Sequence, residues 1–166
     1  MRAIVATILL CVLAGCSPFN PFANEFTTHE PKLEDVVGDY ILTLQTMQHY
    51  EPTLDMTLKK RHSPPSIRLS ADGSFSFEDV PFFIDERAPA RPKFSELSNV
   101  TGRWTLSVVG GVGDGSRKIE SHWGIHLKGV TGSMGSPGFM GKRKPDRLIF
   151  TFSDPDSGEV MIFKKR

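Results

Sequence analysis

Ile67-Arg68-Leu69-Ser70-Ala71-Asp72-Gly73-Ser74-Phe75-Ser76-Phe77 is the stretch that decides the fold class. Apolar and polar residues alternate on both sides of Asp72-Gly73, so each arm carries one apolar face at a period of two, the mark of a half-buried strand. Asp-Gly is a two-residue turn signal, and the whole reads as a β-hairpin. Working outward, Tyr40, Leu42 and Leu44 alternate with Ile41 and Thr43, and Trp104, Leu106 and Val108 with Thr105 and Ser107. Ile119, Trp123, Ile125 and Leu127 share one strand face, and Leu148, Phe150 and Phe152 lead through Asp154-Pro155-Asp156-Ser157-Gly158 to Val160 and Ile162. Residues 53–59 suit either structure, since Leu54, Met56 and Leu58 alternate while Leu54 and Leu58 also share a helix face. No stretch shows sustained helical periodicity with caps, and short strands separated by Gly, Asp and Pro turns predict an all-β domain. That domain is a single antiparallel barrel of about eight strands, with a β-sandwich as the alternative.

The amino terminus has a different character. Arg2 is followed by an apolar run over residues 3–14, too short for the roughly 20 residues of a membrane-spanning helix but the length of a secretory signal's apolar core. The run closes on Leu13-Ala14-Gly15-Cys16, which resembles the lipobox of bacterial lipoproteins. That resemblance implies cleavage before Cys16, acylation of its thiol and amine, and a protein confined to a membrane surface. Cys11 is the poorer site because bulky Leu10 precedes it. The predicted organisation is a signal peptide over residues 1–15, a lipidated and flexible tether over 16–37, and a barrel over 38–166. Pro18, Pro21 and Pro31 break any periodicity in the tether, which is expected to be extended, with Phe19, Phe22 and Phe26 either meeting the lipid interface, the favoured reading, or docking on the domain. Ser17, rather than Asp, follows the cysteine, which by the same resemblance favours the periplasmic face of the outer membrane.

Cleavage takes Arg2 from the 20 Lys and Arg, leaving 19 against 19 acidic residues, so bulk charge selects neither nucleic acid nor an acidic polymer as partner. It also takes one of the two cysteines and leaves the other lipidated, so no disulfide forms within the mature chain and packing alone must hold the fold.

Gly38-Asp39-Tyr40 opening an alternating strand is similar to the Gly-x-Trp opening of lipocalins and other calycin-like barrels, with Tyr40 in the tryptophan's place. Leu148 through Lys164 resembles the C-terminal hairpin of small uncharacterised bacterial proteins with lipocalin-like folds, a group that brings no established activity. The resemblance implies a lipocalin-like barrel.

Candidate sites are few. His122 and His126 fall on one strand face with Lys128, read as a solvated surface because no third ligand is identifiable. Asp154-Pro155-Asp156-Ser157-Gly158-Glu159 lacks the third alternating ligand of a calcium loop and is explained as a turn. Gly110-Gly111-Val112-Gly113-Asp114-Gly115-Ser116 lacks the lysine and the following helix of a phosphate loop and reads as a hairpin loop. No free thiol, nucleophile elbow or fixed carboxylate pair suggests catalysis, and no metal or cofactor is assigned. The segment over residues 129–144 has glycine at every third position from Gly129 to Gly141, and is expected to be a long mobile loop. Its Met134, Phe139 and Met140, followed by Lys142, Arg143 and Lys144, are the candidate ligand or membrane contact.

These readings predict a non-catalytic, lipid-anchored envelope binding protein. Twelve Phe, including Phe82 and Phe83 in a long connection, favour a barrel accepting a small apolar ligand or acyl chain. The alternative is a filled barrel that recognises another envelope protein, in the manner of an inhibitor or immunity protein; the state of the barrel's interior separates the two.

Overall fold

The computed structural model describes residues 21–47, 52–84, 93–113, 119–130, 134–152 and 158–166. Its strands are β1 (Gly38–Gln45), β2 (Ser66–Leu69), β3 (Ser74–Glu78), β4 (Val80–Ile84), β5 (Lys93–Ser98), β6 (Thr101–Gly113), β7 (Ile119–Lys128), β8 (Gly138–Met140), β9 (Arg147–Thr151) and β10 (Val160–Lys165). Two helices, α1 (Leu33–Val36) and α2 (Pro52–Lys59), flank β1. Eight strands close an antiparallel barrel in the order β1-β10-β9-β8-β7-β6-β3-β2, and β4 pairs with β5 beside it. The fold is all-β and a closed barrel, not a sandwich.

Alternation builds the wall. Leu148, Phe150 and Phe152 of the β9 segment and Met161 and Phe163 of β10 join Tyr40, Ile67, Leu69, Phe75, Phe77, Trp104, Ile125 and Leu127 in one buried cluster. The outward residues between them, Ile149, Val160 and Ile162, form a second cluster with Met140 and Phe26. Antiparallel register fixes both faces, with Phe163 opposite Leu42 and Leu148, and Ile67 opposite Tyr40 and Phe77.

β3 and β9 stand four places apart in the ring of eight, so they face each other across its diameter. Phe77 on β3 nevertheless meets Phe150 on β9 edge to face, with ring centroids 6.4 Å apart. Phe75 lies 5.0 Å from Phe77 and Phe163 lies 5.5 Å from Phe150, so a row of rings crosses the interior. An eight-stranded barrel is just wide enough for its own side chains to fill, and at this level they do.

The hairpin around Asp72-Gly73 forms, with Leu69 opposite Phe75. Its loop is one residue longer than the dipeptide suggests: Ser70 N–H donates to Ser74 O at 2.9 Å, and Gly73 N–H to Ser70 O at 3.0 Å. Gly73 takes a φ of 77°, the left-handed residue that closes a three-residue hairpin loop. Asp72 Oδ1 accepts from Ser74 N–H at 2.8 Å and from its hydroxyl at 2.6 Å, which explains why Asp precedes the glycine.

Residues 53–59 resolve as helix: α2 buries Leu54 and half-buries Leu58. The connection containing Phe82 and Phe83 is a flap. β4 and β5 continue β3 and β6 beyond a bend at Asp79, whose φ is 53° and whose N–H is held by Asn99 Oδ1 at 2.9 Å. Phe83 then packs tilted against Phe152, ring centroids 4.6 Å apart, folding the flap onto the core. Strand directions place α2, the flap and the β9–β10 connection at one end of the barrel, the flap end. The Ser70 to Gly73 turn, α1 and the far parts of β6 and β7 lie at the other, the ribbon end.

Replacing Phe150 by Ala removes the ring that bridges the barrel and is expected to cost about 3–5 kcal/mol. Gly73→Val forces a β-branched residue to a positive φ and is expected to cost more than about 1 kcal/mol. Denaturant unfolding midpoints measure both, and an unchanged midpoint for Phe150→Ala would mean the interior is not filled at that level.

Candidate functional site

β6 and β7 run on past the barrel as a ribbon. β6 pairs with β3 only from Thr101 to Arg103, followed by a bond from Trp104 N–H to Gly73 O at 2.7 Å. From Thr105 onward, its side away from β7 meets no strand among the described residues. Backbone parity shows which groups this leaves open. Leu127, Ile125 and Trp123 of β7 send their N–H groups away from β6, to Gly135, Pro137 and Thr27, so they are the non-hydrogen-bonded partners of Trp104, Leu106 and Val108. Leu106 and Val108 therefore direct their own N–H and C=O outward, along an edge with no partner strand, where the Val108 carbonyl accepts a bond from the Ser107 hydroxyl at 3.1 Å and keeps one lone pair. Residues 105–111, Thr-Leu-Ser-Val-Val-Gly-Gly, contain no charge and no proline, the usual means of blunting such an edge. Val108 is 48% exposed and Ile119, near the far end of the ribbon, 74%. The expected hairpin loop over residues 110–116 is thus strand up to Gly113, while residues 114–118 lie outside the described residues.

The inner part of β7 is held by a strap from the amino terminus. Thr27 N–H donates to Phe139 O at 3.0 Å, Trp123 N–H to Thr27 O at 2.8 Å and Gly141 N–H to Glu25 O at 2.8 Å. The Thr27 hydroxyl adds a bond to Gly141 O at 2.8 Å. Residues 25–27 therefore occupy the gap where β7 and β8 part. Phe26 stacks on His122 with ring centroids 4.4 Å apart and covers the outward faces of Met140 and Ile149. Gly138 passes beneath it, where a Cβ would stand 3.2 Å from the Phe26 ring. Arg147 secures the same segment through Glu25 at 2.8 Å.

The strap corrects three expectations. From Pro21 onward the tether is docked: Phe26 and Thr27 are buried, because the outward faces of β8, β9 and β10 are apolar and need a cover, and Val36 is buried against the barrel's inner cluster. His122 is not a solvated surface residue, since the Phe26 ring desolvates it and burial lowers its pKa. His126 is exposed, 3.3 Å from the Ser136 hydroxyl.

The third correction concerns residues 129–144. Met134, Phe139 and Met140 are fully buried, so they form no apolar tip. Phe139 points into the barrel and Met140 under the strap, and β8, covered on both faces, shows no alternation. The glycines of this segment have separate reasons: at Gly141 a Cβ would come within 2.2 Å of Lys144 O, whereas Gly129 stands in open space with a φ of 99°. Of the cations, Lys142 and Arg143 are exposed. Lys144 instead pairs with Asp35 at 2.8 Å and holds that carboxyl below its usual pKa, while Lys165 Nζ donates to Asp35 O at 2.8 Å, pinning α1 over the ribbon end. Cys16 and residues 154–157 lie outside the described residues.

No protein family, curated protein or solved structure matches this chain.

Because burial lowers the pKa of His122, the unfolded chain takes up its proton more readily than the folded one. Stability from this group is complete above the ordinary histidine value of about 6.5 and falls as pH drops from there through the folded-state value. His122→Phe keeps a ring against Phe26 and removes the proton site. Its unfolding midpoint relative to wild type is expected to rise as pH is lowered, and a constant difference would remove the assignment.

Proposed function

We propose that this chain is a lipid-anchored cell-envelope protein, non-catalytic, that recognises another envelope protein by accepting an extended segment on the free edge of β6. The observation that carries this reading is the outward pair of backbone donors and acceptors at Leu106 and Val108 on an uncharged edge. Strand addition draws its affinity from such groups and its selectivity from the side chains that alternate beside them, here half-buried Leu106 and exposed Val108. The interior favours this over the capture of an apolar ligand, because Phe77, Phe150 and Phe163 occupy the space an acyl chain would need.

The lipobox resemblance supports the anchor. Several acyl carbons, each worth about 0.8 kcal/mol per buried CH₂ and spread over more than one chain, make attachment effectively permanent. Cys16 is the acylated residue in this reading, and the periplasmic face of the outer membrane its location. Cys16→Ser is expected to leave a folded barrel that loses palmitate labelling and leaves the membrane fraction; retention at wild-type level would defeat the anchor.

The edge is tested in intact cells with a photo-crosslinking amino acid at Thr105. A discrete adduct of higher mass is expected, and it should vanish when Val108→Pro is added. Proline deletes the outward N–H without touching a β6–β7 hydrogen bond, so the barrel should melt as before. An adduct that survives Val108→Pro, or none from Thr105 while a crosslinker on the α2 surface gives one, would overturn strand addition.

A further inference from the structure

The point at which the strap begins selects the end of the barrel that meets the membrane. Pro21 lies beside the β9–β10 connection, where a Cβ at Gly158 would stand 3.8 Å from its Cγ. That connection belongs to the flap end, and from there the strap runs along the outside of β10, β9 and β8 to reach Gly141 at the ribbon end. Five residue steps separate Cys16 from Pro21. Even fully extended they span no more than about 17 Å. An acylated Cys16 must therefore enter the bilayer close to the flap end, and the distance from Pro21 to the tip of the ribbon exceeds that reach once the lengths of β9 and of the overhanging part of β6 are added.

The flap end has the side chains for such a surface. Three elements that reach it, α2, β4 and the end of β1, each leave one large apolar residue outside. α2 buries Leu54 and exposes Met56 to 57%, β4 buries Phe83 and exposes Ile84 to 53%, and the end of β1 exposes Leu44 to 43%. Exposed Lys59, Lys60 and Lys93 stand among them, with Lys59 in an i,i+4 pair with Asp55 at 2.6 Å. Apolar tips flanked by long cationic side chains suit the headgroup boundary of a bilayer containing anionic lipid, where the alkyl stems lie along apolar surface and the ammonium groups meet phosphate. Separate contacts of this kind are weak, and a neighbouring anchor makes them count by raising the effective concentration of the surface.

We propose that the flap end rests on the bilayer, with Met56 and Ile84 in the interface, and that the β6–β7 ribbon consequently points away from it. This orientation rests on the acylation of Cys16 proposed above.

The test uses the full-length chain, processed and acylated in cells, purified in detergent and reconstituted into vesicles of mixed zwitterionic and anionic phospholipid. Cleavage removes Cys11 and acylation blocks Cys16, so Met56→Cys, Ile84→Cys or Ile119→Cys each offers one thiol for an environment-sensitive fluorophore. Spin-labelled lipid is expected to quench the probe several-fold more at positions 56 and 84 than at 119. In vesicle-bound, palmitate-labelled protein, stronger quenching at 119, or none at any position, would overturn the orientation and leave the anchor standing. The exposed cations Lys142 and Arg143 make the ribbon end the relevant alternative, and a probe at Ile119 reports on it. Protein without palmitate that fails to float with vesicles would remove the anchor, and the orientation with it.

Discussion

Three backbone hydrogen bonds with residues 25–27 close the seam where β7 and β8 part and the barrel wall does not close itself. β8 has only three residues, too few to satisfy the long β7 beside it, and the two strands part toward the ribbon end. Without the strap, Trp123 N–H, Phe139 O and Gly141 N–H would each lack its partner, at a cost of about 1–3 kcal/mol for every such group left buried. The same segment lays Phe26 over Met140, Ile149 and Ile162, so polar satisfaction and apolar burial at this seam come from one stretch of chain. β8 can be short and covered on both faces only because something outside the barrel completes it. The docked strap then fixes where the chain leaves the domain for Cys16.

The parts of the fold legible in sequence are those whose environment has a period of two. Leu148, Phe150 and Phe152 face a filled interior while Ile149 faces out, and β2 and β3 around Gly73 follow the same rule, so strand, turn and barrel could be read directly. β8 escaped because Phe139 and Met140 are buried on opposite faces, and an apolar run among glycines has no period to detect. The strap escaped for a related reason: Phe22 and Phe26 sit in a Pro- and Asn-rich stretch, and what orders them is a surface assembled from residues more than a hundred positions away. Their spacing of four was the available signal, one that an extended tether meeting lipid explained equally well. The flap escaped because its bend comes from Asp79 in a left-handed conformation, supported by Asn99, rather than from a glycine or proline. The ribbon's open edge was invisible because the sequence of β6 cannot say that β3 stops at Ser74.

A filled interior changes which surface of a small barrel is available for function. With rings from β3, β9 and β10 meeting across the core at one level, specificity in the proposed function lies on the outside of the wall or at its ends. Part of the outside is already committed: the strap covers β8, β9 and β10, and α1 is stitched down by Lys144 and Lys165. The overhang of β6 is a part of the wall where, among the described residues, main-chain groups remain outward and uncharged side chains flank them.

An edge of this kind is a hazard in a freely diffusing protein, since any exposed strand can add to it. The hazard shrinks when the molecule is held in one orientation on a surface, because random edge-to-edge encounters then give way to those the geometry permits. In the proposed arrangement anchor and edge lie at opposite ends of the barrel: the strap starts at the flap end beside Gly158, whereas Leu106 and Val108 lie on the ribbon beyond the last residue of β6 paired to β3. A flap end resting on lipid would hold the ribbon a barrel's length above the membrane, within reach of proteins embedded in the same layer or standing on the opposite one. The rigidity that makes this reach definite comes from the closed barrel between the two ends, braced where the Phe77 and Phe150 rings meet across its interior.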